Sequence, residues 1–141
     1  MKRDCVFCKI IRREAEAAIV YEDDKIIAFM DIAPASPGHL LIVTKEHYEN
    51  IYEVPDELLS YVIVMAKRIG MAARKALNAD GLSFFQTNEE GGGQEVFHFH
   101  FHVIPRYRDI TLKIANREKI SLKEREKYAE RIRKALKDFL W

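Results

Sequence analysis

His98-Phe99-His100-Phe101-His102-Val103-Ile104 is the stretch on which the reading of this chain turns. Alternate side chains of a strand face opposite sides, so the three histidines share one face, spaced about 7 Å apart, while Phe97, Phe99, Phe101 and Val103 share the other. One face is then core and the other is chemistry. Three imidazoles on one strand face are costly to bury without a use. The pattern suits two uses: three ligands for a catalytic metal, or one imidazole presented as a nucleophile.

The segment before the strand favours the nucleophile. Residues 88–94 carry Gly91-Gly92-Gly93, where the backbone can approach a ligand and its amides can form an anion-binding concavity suited to a phosphate. Gln94 adds a neutral donor there. A histidine that attacks phosphorus must be neutral, with its second nitrogen held by an acceptor so that the free nitrogen faces the phosphate. His100, in the middle, is best placed.

Working outward, residues 82–87 read as a strand that pairs with a strand over 96–104 as a hairpin, the latter terminated by Pro105. Short strands are predicted at 19–22, 26–31 and 40–44, with Glu22-Asp23-Asp24-Lys25 as the first turn and a short helix at 6–11 before them. Pro34 and Pro37-Gly38 make the segment between Asp31 and His39 a loop that can face a ligand. Pro55-Asp56-Glu57 opens a long helix ending near Asn78, its Leu58, Leu59, Val62, Met65, Ala66, Ile69 and Ala73 recurring at intervals of three and four. A tail helix starts at the capping box Ser121-Leu122-Lys123-Glu124 and carries a stripe of Leu122, Ala129, Ile132, Leu136 and Phe139. That stripe needs cover from the domain or from a partner chain.

A chain of 141 residues with 48% hydrophobic content suits one domain with one core. The net charge of +1 hides an asymmetry: residues 1–105 hold 11 Lys/Arg against 16 Asp/Glu, and residues 106–141 hold 12 against 6. Such a basic tail reads as the solvated face of a helix, and nucleic-acid binding is not expected. No apolar run approaches the roughly 20 residues that span a bilayer, and the amino terminus lacks a signal-peptide pattern, so a soluble cytoplasmic protein with no membrane partner is expected. Cys5 and Cys8, the only cysteines, form a Cys-x-x-Cys that suggests a metal site or a redox pair.

His98 to Ile104 resembles the His-φ-His-φ-His-φ-φ signature of the histidine triad family of nucleotide hydrolases and transferases. Glu22-Asp23-Asp24, Ala28-Phe29-Met30-Asp31-Ile32, Pro37-Gly38-His39, Asn88 and Gly93-Gln94-Glu95-Val96 resemble the purine-nucleoside-phosphoramidase branch in order and spacing, over residues from about 4 to 107. The resemblance implies an α+β fold, a bent antiparallel sheet of about five strands with the 56–78 helix packed on it and a C-terminal helix added. It divides the chain into a histidine triad domain at 1–107 and a basic extension at 108–141 within the same domain. It implies hydrolysis of a purine nucleoside monophosphate conjugate, adenosine first, through a nucleotidyl-histidine intermediate. The alternatives are a dinucleoside polyphosphate hydrolase and a nucleotide-binding regulatory protein.

Carried onto matching positions, the resemblance makes His100 the nucleophile, places His102 and Gln94 beside it in the catalytic set, and has Asn88, Gly93, Gln94, Glu95 and the amides near Val96 around the phosphate. Asp31 would accept from the ribose hydroxyls, and Phe7, Ile10, Phe29 and Ile32 would form the slot for the base. Glu95 departs from the serine or threonine of some members, and its side chain is expected to turn from the phosphate. Microbial members resemble this chain in a Cys-x-x-Cys with distant histidines, which implies a structural zinc on Cys5, Cys8, His47 and His98. His39 is expected to buttress the strand. A homodimer formed through the long helix and a sheet edge is implied as well.

Overall fold

The computed structural model describes residues 4–140. Five strands, β1 (Ile19–Glu22), β2 (Ile26–Met30), β3 (Leu40–Thr44), β4 (Gly81–Phe85) and β5 (His100–Arg106), form one sheet in the order β1-β2-β3-β5-β4, every neighbour antiparallel. Helix α1 (Val6–Ile11) precedes the sheet, α2 (Asp56–Leu77) joins β3 to β4, and α3 (Leu122–Leu136) closes the chain. This is the α+β, five-stranded architecture that the resemblance implied.

The central strands β2 and β3 are buried at every position because both faces of the sheet are covered. Ile26, Ala28, Met30, Leu40 and Ile42 face the large core, where they meet Val62, Met65, Ala66, Ile69 and Ala73 of α2 and Ala129, Ile132 and Leu136 of α3. Ile27, Phe29, Leu41 and Val43 face the other way and pack with Phe7 and Ile10 of α1. The tail-helix stripe is thus covered by the chain's own core. Ser121 caps α3 by accepting from the Glu124 amide at 3.1 Å, as the capping box requires.

The histidine strand differs from the sequence expectation. β5 starts at His100 rather than at 96, and it runs through Pro105 to Arg106, while β4 spans Gly81–Phe85 rather than 82–87. Proline is tolerated there because Arg106 directs its carbonyl to β4, where the Asp80 amide donates to it, so Pro105 directs its nitrogen to the opposite side. On that side the pairing with β3 has already ended at Leu40↔Val103. Phe97, expected in the core, is 45% exposed, because the 96–99 segment lies outside the alternation of the strand.

Gly38 has φ +89°, and a Cβ there would lie 2.2 Å from Leu77 Cδ1, so the loop between Asp31 and His39 turns against the end of α2 only because this residue has no side chain. Asn78 ends α2 in the left-handed conformation.

Candidate active site and metal cluster

β5 delivers two histidines to the α1 side of the sheet, since His100 pairs with Val43 and His102 with Leu41. His100 is buried, and the edge of the Phe7 ring meets it with centroids 5.1 Å apart. Its Nδ1 lies 2.7 Å from the carbonyl of His98. A carbonyl can only accept, so Nδ1 carries the proton and Nε2 keeps its lone pair.

His102 is held in the opposite tautomer. The Ala35 amide donates to His39 Nδ1 at 2.9 Å, which places the proton of neutral His39 on Nε2. That Nε2 lies 2.9 Å from His102 Nδ1 and donates to it, leaving His102 with its proton on Nε2. Two adjacent imidazoles, ring centroids 4.9 Å apart, therefore carry one a lone pair and the other a proton at equivalent atoms.

Burial keeps these rings neutral. It pushes His39 down to about 2, helped by His102 and Arg117, and it pushes His102 down to about 3, helped by His100 and Arg117. His100 is lowered by burial too, against the bond to the His98 carbonyl and the charge of Glu95. Asp31, also buried, is raised by desolvation, which the Ala33 amide at 2.8 Å and then Arg117 oppose. Its Oδ2 lies 3.4 Å from His39 Nε2, a contact with a neutral ring rather than an ion pair.

Asp31, His39 and His102 are close enough to be considered for a metal. Tautomer chemistry argues against it: a metal on His39 Nε2 would need the proton moved to Nδ1, which already accepts from Ala35.

The sequence-predicted substrate residues fall into three groups. Phe7, Ile10 and Phe29 pack together on the α1 side, whereas Ile32 is 49% exposed and stands at the rim. Asn88 and Gln94 anchor the glycine loop: Asn88 Oδ1 accepts from the Ile51 amide at 2.9 Å, and Gln94 Oε1 accepts from the Glu89 amide at 2.8 Å. Gln94 Nε2 donates to the carbonyls of Glu49 and Val96 at 2.6 and 3.0 Å, so both its amide hydrogens serve the backbone. Gly93 takes φ +94° in this loop, Glu95 is exposed, and Val96 packs at the edge of the α1-side cluster.

On the other side of Phe7 lies the second cluster. Cys5, Cys8, His47 and His98 bring four ligand atoms within 4.8 Å of one another, and both cysteines are free thiols. His98 Nδ1 is 3.3 Å from Cys5 Sγ and 3.5 Å from Cys8 Sγ, and His47 Nδ1 is 3.4 Å from Cys8 Sγ. With Zn–S near 2.3 Å and Zn–N near 2.0–2.1 Å, the S···N edge of a tetrahedral site is about 3.5 Å, and the observed spacings fit it. His98 Nε2 donates to the Thr44 carbonyl at 2.7 Å, which leaves Nδ1 unprotonated toward the sulfurs, the outer hydrogen bond that metal-ligating histidines use. The cluster can hold a metal ion.

The functional residue that sequence reasoning placed outside the catalytic set is His39. Its signal is visible in the register: it precedes β3 two residues from Leu41, the partner of His102, so the two histidines share a face.

Comparison with known proteins agrees with this geometry. The model of the HIT domain matches residues 12–109. A HIT-like protein from Bartonella henselae, described as involved in cell-cycle regulation, superposes with a TM-score of 0.89 at 39% identity, covering 96% of this chain and 98% of that one. A zinc-bound histidine triad family protein from Mycobacterium smegmatis gives a TM-score of 0.85 at 33% identity, covering 96% and 94%. Adenylylsulfatase HINT3 of Arabidopsis thaliana is 39% identical over 106 residues, 75% of this chain and 54% of that protein. With the histidine strand and the family match in agreement, this chain belongs to the HIT domain family.

Proposed function

We propose that this protein hydrolyses purine nucleoside monophosphate conjugates, adenosine phosphoramidates among them, by transferring the nucleotidyl group to His100 and then to water. The observation that carries this reading is the pair of opposed tautomers at His100 and His102. The His100 Nε2 lone pair forms a bond to phosphorus while the bond from phosphorus to the leaving group breaks. The His102 Nε2 proton passes to the departing amine. In the second step water attacks the phosphorus of nucleotidyl-His100, His102 takes a proton from that water, and the nucleoside monophosphate leaves with the His100 lone pair restored.

Asp31 accepts from the ribose hydroxyls, with Phe7, Ile10 and Phe29 lining the base slot and Ile32 at its rim. Asn88 and Gln94 hold the loop whose Glu95 and Val96 amides receive the phosphate, with Gly93 shaping its turn by donating its own amide to the Glu90 carbonyl at 3.0 Å. Cys5, Cys8, His47 and His98 would hold a structural zinc, which would tie α1 to the segment before β5. Residues 1–107 form the histidine triad domain, and residues 108–141 extend it, a reading supported by the place of Ala129, Ile132 and Leu136 in the same core. β4, an edge strand with Phe84 and Phe85 exposed, and α2, with Ile63 and Met71 exposed, suit a homodimer surface. No helix among the described residues is long and apolar enough to cross a membrane, which is compatible with a cytoplasmic enzyme.

The test is intact-protein mass spectrometry after mixing with an adenosine phosphoramidate and quenching without acid, comparing the wild type with His100→Asn. A nucleotidyl mass on the wild type alone is the expected result. Product formation without an adduct, or an adduct that survives His100→Asn, would overturn the assignment of the nucleophile. Tight nucleotide binding with no turnover would favour a nucleotide-binding regulatory protein.

A further inference from the structure

The tail after β5 is stitched to the loop between Asp31 and His39 by three hydrogen bonds, each accepted by a carbonyl of that loop. The Tyr107 hydroxyl donates to Pro37 at 2.8 Å, the Lys113 amide to Ala35 at 3.0 Å and the Ile120 amide to Ile32 at 3.0 Å. Arg125, buried at 8% exposure, donates from Nε to the Ile120 carbonyl at 3.3 Å and ties the end of this strap to α3. Inside the loop, the Asp31 amide donates to the His39 carbonyl at 3.0 Å and the His39 amide to the Ser36 carbonyl at 3.1 Å.

Ala35 stands where these bonds meet the histidines. It is buried at 6% exposure, its carbonyl accepts from Lys113, and its amide donates to His39 Nδ1 at 2.9 Å. His39 Nε2 in turn donates to His102 Nδ1 at 2.9 Å. Three hydrogen bonds therefore run from the main chain of the strap to the ring of His102. Both main-chain groups of Ala35 are committed, one to the strap and one to His39, and its methyl side chain offers no other polar anchor. If the Ala35 amide moves away, His39 is free to carry its proton on Nδ1. Its Nε2 lone pair then faces His102 Nδ1, which must take the proton, and His102 Nε2 is left with none to give.

We propose that Lys113 is a positioning residue for the reaction: its main-chain amide fixes Ala35, and through Ala35 and His39 it keeps the His102 proton on Nε2, toward the leaving group. This rests on the hydrolase reading above. It makes the strap matter more for some leaving groups than for others. When an alkylamine leaves, the P–N bond breaks as His102 Nε2 gives its proton to the nitrogen and keeps the electron pair of its own N–H bond. When p-nitrophenolate leaves, the electron pair of the breaking P–O bond stays on oxygen and no proton is needed. A strap that only braced the fold would affect both alike.

The experiment measures Tm and kcat/KM, which reports the steps through leaving-group departure, for wild type, Lys113→Pro, Lys113→Ala and Tyr107→Phe. The two probes are an adenosine phosphoramidate carrying an alkylamine and the p-nitrophenyl ester of adenosine monophosphate. Lys113→Pro removes the amide and is expected to lose about ten-fold or more on the phosphoramidate and less than about three-fold on the ester. Lys113→Ala keeps the amide and should restore both rates. Tyr107→Phe removes only the hydroxyl on Pro37 and should shift the two rates in the same unequal way by a smaller factor; it decides the matter should Lys113→Pro fail to fold. Equal losses on the two probes, or none, in the deciding variant would overturn the role of Lys113 and leave the hydrolase reading standing, as would a loss in Lys113→Ala as large as in Lys113→Pro. A wild type that cleaves neither probe and acquires no nucleotidyl mass would overturn both.

Discussion

His39 Nε2 sits 2.9 Å from His102 Nδ1, and this contact sets which nitrogen of His102 carries the proton. Replacing His39 with alanine removes that donor, so His102 no longer prefers the tautomer with its proton toward the leaving group. It also leaves the buried Ala35 amide without its acceptor, at about 1–3 kcal/mol. The expected outcome for His39→Ala is a fall in kcat of about 10²-fold on an amine leaving group, within the range of general acid catalysis, and a lower Tm. A kcat within two-fold of wild type would show that His39 does not set the His102 tautomer.

An unperturbed imidazole protonates near pH 6.5, and on sequence alone activity is expected to fall below that value. The structure moves the limit, because burial holds His102 at about 3 and His39 at about 2. Both pKa values are depressed relative to the unfolded chain, so each ring contributes stability that is present above about pH 6.5 and declines as pH falls toward its folded value. The decline is at most about 1.4 kcal/mol per pH unit for each ring. His100, the nucleophile, is lowered by burial as well, so activity measured at a temperature well below Tm should persist below pH 6.5, while Tm falls steadily. A loss of activity centred at pH 6.5 with an unchanged Tm would contradict this.

Asp31 spends Oδ1 on the Ala33 amide and keeps Oδ2 beside neutral His39, so one oxygen remains able to accept a ribose hydroxyl. Asp31→Ala should weaken ribonucleotide binding by about 1.5–3 kcal/mol, the value of a hydrogen bond to a charged group, and leave the deoxyribonucleotide nearly unaffected. Calorimetric titration of both nucleotides gives the comparison, and equal losses would remove Asp31 from the ribose.

For the cysteine and histidine cluster, elemental analysis of the purified protein should find about one zinc per chain, and Cys8→Ser should lose it. Chelation should lower Tm and weaken nucleotide binding, since Phe7 lies between the two cysteines and against His100. Protein that is fully folded, equally stable and free of metal would show that the thiols serve another purpose.

The positions of the strands and the long helix were legible in the sequence because alternation and three-to-four spacing are local properties of the backbone. Residues 19–22, 40–44 and the 6–11 helix stand as read. The histidine strand was misplaced by four residues at its start and ended two residues early, for a tertiary reason: the aromatic and histidine alternation continues upstream through Phe97 and His98, but strand pairing does not. Pro105 stops a strand only if its nitrogen faces a partner, and which side it faces depends on the neighbouring strand.

By itself the sequence determined which residues carry chemistry, because His-x-His-x-His, Cys-x-x-Cys and a glycine triplet are chemical patterns that short peptide segments already contain. Only the tertiary structure decided their states. His98, His100 and His102 look alike in the chain, yet Thr44, the His98 carbonyl and His39 assign their protons differently, and each of those partners arrives from elsewhere or through a backbone geometry that forms only on folding. The same holds for the tail, whose charge is visible in the sequence but whose contact with the Asp31 loop depends on where α3 finds its apolar cover against α2 and the sheet. Proton positions and charge proximity are properties of distance, and distance across the sequence is set by packing.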